Sequence, residues 1–142
     1  TTSNGTGALL AVRAAAAIGV AAFVNASAAA AWAVEGGRPL VIACAGDVGQ
    51  RSLEDEVCAG LLVDQVRSAC PDAGVGPEAE EVAGRARPYA KDLARLARDS
   101  PWARRLANRG RTADLAACLA LDTIALVPRY LPNVDKIVWP YR

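Results

Sequence analysis

The sequence predicts an α/β fold: a three-layer α/β/α domain with a central, mostly parallel or mixed sheet. Three observations predict it. Short apolar runs, Val20 to Val24 and Leu40 to Cys44, alternate with helical segments. Asn, Ser and Gly punctuate the joints between them. The 142-residue length suits one domain with its own core.

The chain opens on a polar, turn-prone stretch, Thr1 to Gly7, in which Asn4-Gly5 is a turn signal. Thr6 is expected to cap a helix over Ala8 to Ile18, ended by Gly19. Val20 to Val24 reads as a buried strand. Asn25 then caps a helix from Ala26 to Val34, which Gly36-Gly37 closes. Arg38-Pro39 leads into the strand Leu40 to Cys44. The third helix spans Leu53 to about Ala69, with Ser52 as its cap and Leu53, Val57, Leu61, Leu62 and Val66 on its core face.

Pro71 to Gly74 ends that helix. A charged helix follows from Glu78 to Arg87, stopped by Pro88, and another from Tyr89 to Arg98 with Leu93 and Leu96 inward. Ser100-Pro101-Trp102 is a cap with proline at the first helical position. Asn108-Arg109-Gly110 closes that helix, and Thr112 caps Ala113 to Leu121. Two extended pieces, Ile124 to Val127 and Lys136 to Trp139, complete the chain. Residues 78–111 form a helical, Arg-rich segment whose charges read as a solvated face.

Composition excludes several chemistries. Sixteen basic residues against fifteen acidic ones give no one-signed field for nucleic acid or an anionic membrane. The absence of histidine excludes Ser-His-Asp and Cys-His catalysis and His-ligated zinc. No methionine is present, so the chain is expected to be processed or part of something longer. Cys44, Cys58, Cys70 and Cys118 form no CxxC pair and read as buried free thiols of a cytoplasmic protein. Ala14 to Val34 carries no charge over 21 residues, but alanine is weakly apolar and Gly19, Asn25 and Ser27 interrupt it. Neither a membrane span nor a signal peptide is expected.

The stretch Ala45 to Gly60 carries the chemistry. A strand end, a loop with Gly46 and Gly49, and the start of a helix meet there, at the edge where open α/β sheets bind ligands. Glu54 and Asp55 stand side by side in the first helical turn. By spacing alone they serve capping and dipole complementarity. Gly46, Gly49 and the amides ahead of Ser52 offer an anion cradle or a plain turn. Asn4-Gly5-Thr6 and Asn25 with Ser27 open two other helices. In a parallel sheet, all three helix starts would face one edge and suit a substrate with two anionic ends. Arg51 is an anion clamp or an exposed loop charge. Cys58 reads as core, since no general base accompanies it.

Three blocks together carry a resemblance. They are Thr2-Ser3-Asn4-Gly5-Thr6, then Val24-Asn25-Ala26-Ser27-Ala28, then Ala45-Gly46 with Ser52-Leu53-Glu54-Asp55 and Cys58-Ala59-Gly60. They resemble the T-x-N-G-T, N-A-S and A-G-(x)n-S-L-E-D-x-x-C-A-G motifs of the ComB-like 2-phosphosulfolactate phosphatases. Asp114, Cys118 and Val127-Pro128 fit the same pattern. The family's N-terminal D-V-x-R-A-[ST]-T-type motif has no counterpart, so the chain resembles the C-terminal portion of a member.

The resemblance implies magnesium-dependent hydrolysis of a phosphate monoester of a small hydroxy acid, a step of coenzyme M biosynthesis. It implies Glu54 or Asp55 as magnesium ligand, one of the two facing the metal because adjacent helical residues point about 100° apart. It implies anion binding by Asn4, Gly5, Thr6, Asn25, Ser27, Gly46, Arg51 and Ser52. The missing motif implies that a nucleophile and a central strand lie on residues outside this chain, supplied by a complementary N-terminal chain, or that the protein acts as a homodimer. Two other functions stay open: a non-catalytic descendant acting in binding or assembly, and a hydrolase using Thr1 as an N-terminal nucleophile.

Overall fold

The structure is a computed structural model and describes residues 4–139. Thr1, Thr2 and Ser3 lie outside the described residues, so the Thr1 reading finds no geometry here. Seven helices and a two-stranded ribbon are assigned among the described residues: α1 Gly5–Ala11, α2 Ala26–Glu35, α3 Leu53–Ala69, α4 Pro77–Ala86, α5 Arg95–Asp99, α6 Pro101–Asn108, α7 Thr112–Cys118, β1 Arg129–Leu131 and β2 Lys136–Val138.

The central helix α3 begins and ends where its sequence signals stand. Ser52 is extended at φ −109° and ψ 127°, and its hydroxyl accepts the Asp55 N–H at 3.3 Å. Glu54, Asp55 and Glu56 fill the first turn and Arg67 the last, matching the helix dipole. α2 packs on one side of α3 through Ala26, Ala29, Ala30 and Leu62, with Val127 joining them. Small alanine side chains let these two helices approach closely. On the other side Val57, Ala86, Leu96 and Phe23 form a second buried cluster. Cys58 touches both clusters, so α3 is the wall between them.

α4 lies against α3 where Gly60 leaves room for it. A β-carbon at Gly60 would stand 2.6 Å from the Val82 carbonyl oxygen and 3.0 Å from the Ala83 α-carbon. The polar rim of the same helix pair is an ion network. Arg87 reaches both Asp64 oxygens at 3.1 and 3.2 Å and Glu80 at 2.9 Å, while Arg67 bonds Glu80.

Several expected elements take other forms. α1 ends at Ala11 instead of Ile18, because residues 13–17 are exposed and find no apolar surface to bury. The run Val20 to Val24 is not an assigned strand. It lies antiparallel to residues 124–130: Gly19 bridges Arg129, Val20 donates to Pro128, and Ile124 donates to Val24. Leu40 to Cys44 is not an assigned strand and pairs with nothing among the described residues; only Ile42 is partly buried. The expected helix from Tyr89 to Arg98 is split into a single 3-10 turn, Arg87–Tyr89, and α5. Asn25 precedes α2 but makes no cap bond. Its Oδ1 accepts the Ala22 N–H at 2.8 Å, and its Nδ2 donates to the Val20 and Leu126 carbonyls at 3.0 Å each. Among the cysteines, Cys44, Cys70 and Cys118 are exposed rather than buried. No described helix is long and apolar enough to cross a membrane.

Candidate functional site

The loop before α3 is a two-residue β-turn. Asp47 and Gln50 exchange both backbone hydrogen bonds at 2.9 Å. Val48 at φ 49° and Gly49 at φ 75° sit between them, both left-handed, as a type I′ turn requires. Glycine adopts that conformation freely; valine, branched at its β-carbon, does so only under strain. Gly46, at φ 74°, is irreplaceable on space as well, since a β-carbon would stand 2.6 Å from the Gln50 carbonyl oxygen.

This strained turn is held from four directions. Asp55 Oδ2 accepts the Gly46 N–H at 2.7 Å. Asn4 Oδ1 accepts the Val48 N–H at 3.3 Å, bringing the start of α1 to the loop. Arg105 on α6 pairs with Asp47 at 2.6 Å. Arg51, 73% exposed, pairs with Glu56.

Glu54 occupies a different position from Asp55. Its Oε2 accepts the Ser52 hydroxyl at 2.8 Å, and its Oε1 accepts the hydroxyl of fully buried Ser100. The Ser100 Oγ also accepts the Ala103 N–H at 3.0 Å, capping α6. The Glu54 carboxylate therefore lies between the N-terminal ends of two helices, α3 and α6. Positive dipole ends on both sides favour a negative charge there.

The expected site residues fall into two groups. Asn4, Gly46, Arg51, Ser52, Glu54 and Asp55 gather around the start of α3, with Gly5 and Thr6 continuing from Asn4 into α1. Asn25 and Ser27 do not join them. Ser27 donates its N–H and its hydroxyl to Asp122 at 2.7 and 2.6 Å, and its Oγ accepts from Gln65 at 3.3 Å. Gln65 lies ten residues along α3 from Asp55, which at helical rise is about 15 Å. Two of the three expected helix starts thus converge; that of α2 sits further along α3.

Hydrogen bonding separates the amides of this loop that have partners from those that have none. The amides of Gly46, Asp47, Gln50 and Asp55 have partners within the loop and the start of α3, and that of Val48 has Asn4. Those of Arg51, Ser52, Leu53 and Glu54 have none among the described residues. The Leu53 and Glu54 N–H groups belong to the positive end of this seventeen-residue helix and those of Arg51 and Ser52 precede it; the Gly49 N–H likewise has no partner among the described residues.

A magnesium ion takes hard oxygen ligands and often only one or two protein carboxylates, the rest being water and substrate phosphate. Among the described residues no three Cys, Asp or Glu side chains gather into a metal site. Glu54 has both oxygens bound by hydroxyls, whereas Asp55 uses only Oδ2. Asp55 Oδ1 is the better fit for such an ion.

Cys58, half-buried on α3, has its thiol pushed up to about 12 by burial first and by the nearby Asp55 charge second. Desolvation first, then Asp55 and Glu56, push Cys44 in the same direction. Neither cysteine is activated as a nucleophile. Sequence reasoning missed Asp122, Arg105 and the Glu54 partnership of Ser100. Only Ser100 carried a local signal, its cap pattern before Pro101.

The fold and the site together define a helix-rich protein whose acidic helix start and tight glycine turn form one polar edge. The 2-phosphosulpholactate phosphatase family model matches residues 1–132. The chain belongs to that family. It is 35% identical over 133 residues to a probable 2-phosphosulfolactate phosphatase of Thermosynechococcus vestitus, covering 89% of this chain and 54% of that protein. A protein of the same description from Gloeobacter violaceus is 35% identical over 129 residues, covering 90% and 52%. One from Caldanaerobacter subterraneus is 29% identical over 133 residues, covering 91% and 53%. The chain spans about half the length of these curated relatives.

Proposed function

We propose that the start of α3 is one wall of an active site that hydrolyses the phosphate monoester of a small hydroxy acid, such as 2-phosphosulfolactate, with magnesium. The observation that carries this reading is the strained turn at Val48, φ 49°, fixed by Asp55 and Asn4 beside the unpartnered amides of Arg51 to Glu54 at the start of α3. Strain of this kind persists where surrounding structure over-determines it, and it clusters at ligand sites. In this reading the amides of Arg51 to Glu54 receive an anionic group of the substrate. Asp55 Oδ1 holds the ion, and Asp55 Oδ2 keeps the turn in place. Bound magnesium supplies neutralisation of the phosphate charge. Arg51, released from Glu56, gives a guanidinium to the second anionic end.

Amide NMR of the chain titrated with 2-phosphosulfolactate and magnesium tests this. Shifts concentrated at Arg51 to Glu54 support it; shifts at Ser27 and Gln65, or none, contradict it.

A second reading is a binding or assembly subunit without catalysis. The double hydroxyl grip on Glu54 favours it, because it withdraws one of the two carboxylates from a metal. Binding of the phosphate ester without phosphate release, even with the remainder of the family's chain supplied, distinguishes this reading from the first.

A further inference from the structure

The start of α3 is acidic, yet the substrate proposed for it is an anion. Asp47, Glu54, Asp55 and Glu56 gather their carboxylates in one short stretch of sequence. Each of them, left uncompensated, repels a negatively charged ligand. Three are answered close by. Glu56 pairs with Arg51 and, at 3.3 Å, with Arg85. Glu54 accepts the Ser52 and Ser100 hydroxyls, and Asp55 accepts the Gly46 N–H. The Asp47 side chain has a single partner among the described residues, and it is a cation from α6. Arg105 Nη2 donates to its Oδ2 at 2.6 Å, across 58 residues of sequence.

The position of Asp47 gives its charge a reach. Its backbone exchanges both hydrogen bonds with Gln50, so the two residues face each other across the turn. Residues opposed in this way have Cα atoms about 5.5 Å apart. Gln50 immediately precedes Arg51, the first of the unpartnered amides. An anion at those amides therefore feels whatever charge Asp47 carries. The turn is closed by backbone bonds and gripped by Asn4 and Asp55. An exposed ion pair adds little to that hold.

We propose that Arg105 is a positioning residue that acts through Asp47: by neutralising that carboxylate, it lets the amides of Arg51 to Glu54 receive an anionic group. The ligand is the phosphate monoester already proposed for this edge, so the inference rests on that reading. It gives α6 two duties at the start of α3. Ser100, at the head of the helix, serves Glu54, and Arg105, further along it, serves Asp47.

The test measures the affinity of the whole chain for 2-phosphosulfolactate with magnesium, read from amide shifts at Arg51 to Glu54. Arg105→Gln is expected to bind about tenfold more weakly than the parent. Asp47→Asn, which leaves nothing to neutralise, is expected to bind at least as tightly as the parent. The double variant is expected to return to within about threefold of it. Added salt is expected to narrow the gap between Arg105→Gln and the parent. Arg111→Gln, which breaks the Arg111–Asp114 pair at the start of α7, is the control and leaves the affinity unchanged. A pair that merely held the turn in shape would behave differently: Asp47→Asn would weaken binding as Arg105→Gln does, and the double variant would show no rescue. That result overturns the proposal. So does parent-like affinity in Arg105→Gln, or equal weakening by Arg111→Gln, which would be a bulk charge effect. Absence of binding by the parent removes the phosphatase reading and this inference with it; binding by the parent without an Arg105→Gln effect removes the inference alone.

Discussion

Ser100 donates its hydroxyl to Oε1 of Glu54, across 46 residues of sequence, and the two residues open α6 and α3. Ser100 is fully buried and caps its own helix through the Ala103 N–H. One hydroxyl thus fixes a helix end and satisfies a carboxylate from another helix.

Ser100→Ala removes both roles. Loss of a cap costs about 1 kcal/mol, and an unpaired carboxylate oxygen adds about 1–3 kcal/mol. Urea denaturation is expected to show a total loss of about 2–4 kcal/mol. In a double-mutant cycle, Ser100→Ala in a Glu54→Gln background is expected to cost less than in the parent, because the charge it served is gone. Full additivity would mean that the two side chains do not cooperate.

Gly60→Ala tests the closest helix contact. Its β-carbon would meet the Val82 carbonyl oxygen at 2.6 Å, which is backbone that cannot rotate away. Separation of α3 and α4 is expected to cost about 1–3 kcal/mol. Gly84→Ala, with nothing within 4 Å of its β-carbon, is the control and is expected to be neutral or stabilising. Equal thermal midpoints for the two variants would contradict the packing described.

Acid sensitivity follows from the α3–α4 ion network. Burial works against ionisation of Asp64, but the hydrogen bonds and charges of Arg87 and Arg67 outweigh it and hold its carboxyl below the usual range. Arg87 first, and then Arg67, do the same for exposed Glu80. A carboxyl whose folded pKa is lowered adds stability that is complete above its unfolded value, about 4. That contribution is lost as pH falls further, through the folded value. Urea midpoints measured from pH 6 downward are expected to drop below about pH 4. Arg87→Gln is expected to flatten that drop, and added salt to reduce it. An identical slope in the variant would show that the network is not its source.

Thiol reactivity separates the cysteines. Cys58 is held protonated by burial and by Asp55, while Cys70 and Cys118 are exposed. Brief iodoacetamide treatment at pH 8, mapped by mass spectrometry, is expected to modify Cys70 and Cys118 and spare Cys58. Rapid Cys58 labelling in the folded chain would contradict its place between the two core clusters.

What the sequence made legible was local. The start of α3 could be read because Ser52 and the first-turn acids act within four residues of one another. The convergence of Asn4 with the Gly46 turn was anticipated only as a consequence of topology, and the bond that makes it joins residues 44 positions apart. Asn25 illustrates the opposite case. Its position before an alanine-rich helix signals a cap, yet its side chain serves Ala22, Val20 and Leu126. No local pattern reveals that Leu126 will arrive there. The N-terminus of α2 takes its carboxylate from Asp122 instead, 95 residues beyond Ser27. Leu40 to Cys44 reads as a buried strand from its apolar run, yet it is not an assigned strand and Val41 is 83% exposed, because an apolar run does not reveal what, if anything, lies beside it. Gly46 was correctly expected in the loop, but its amide is taken by Asp55, so the unpartnered amides lie a few residues on.

The most direct test of the account is phosphate release from 2-phosphosulfolactate by the chain assembled with the remainder of the family's architecture. Release is expected to require magnesium, to stop with a chelator, and to fall about a hundredfold or more in Asp55→Asn, with the fold preserved by circular dichroism. Undiminished, magnesium-independent release by Asp55→Asn would contradict the assignment of the α3 start as the catalytic wall.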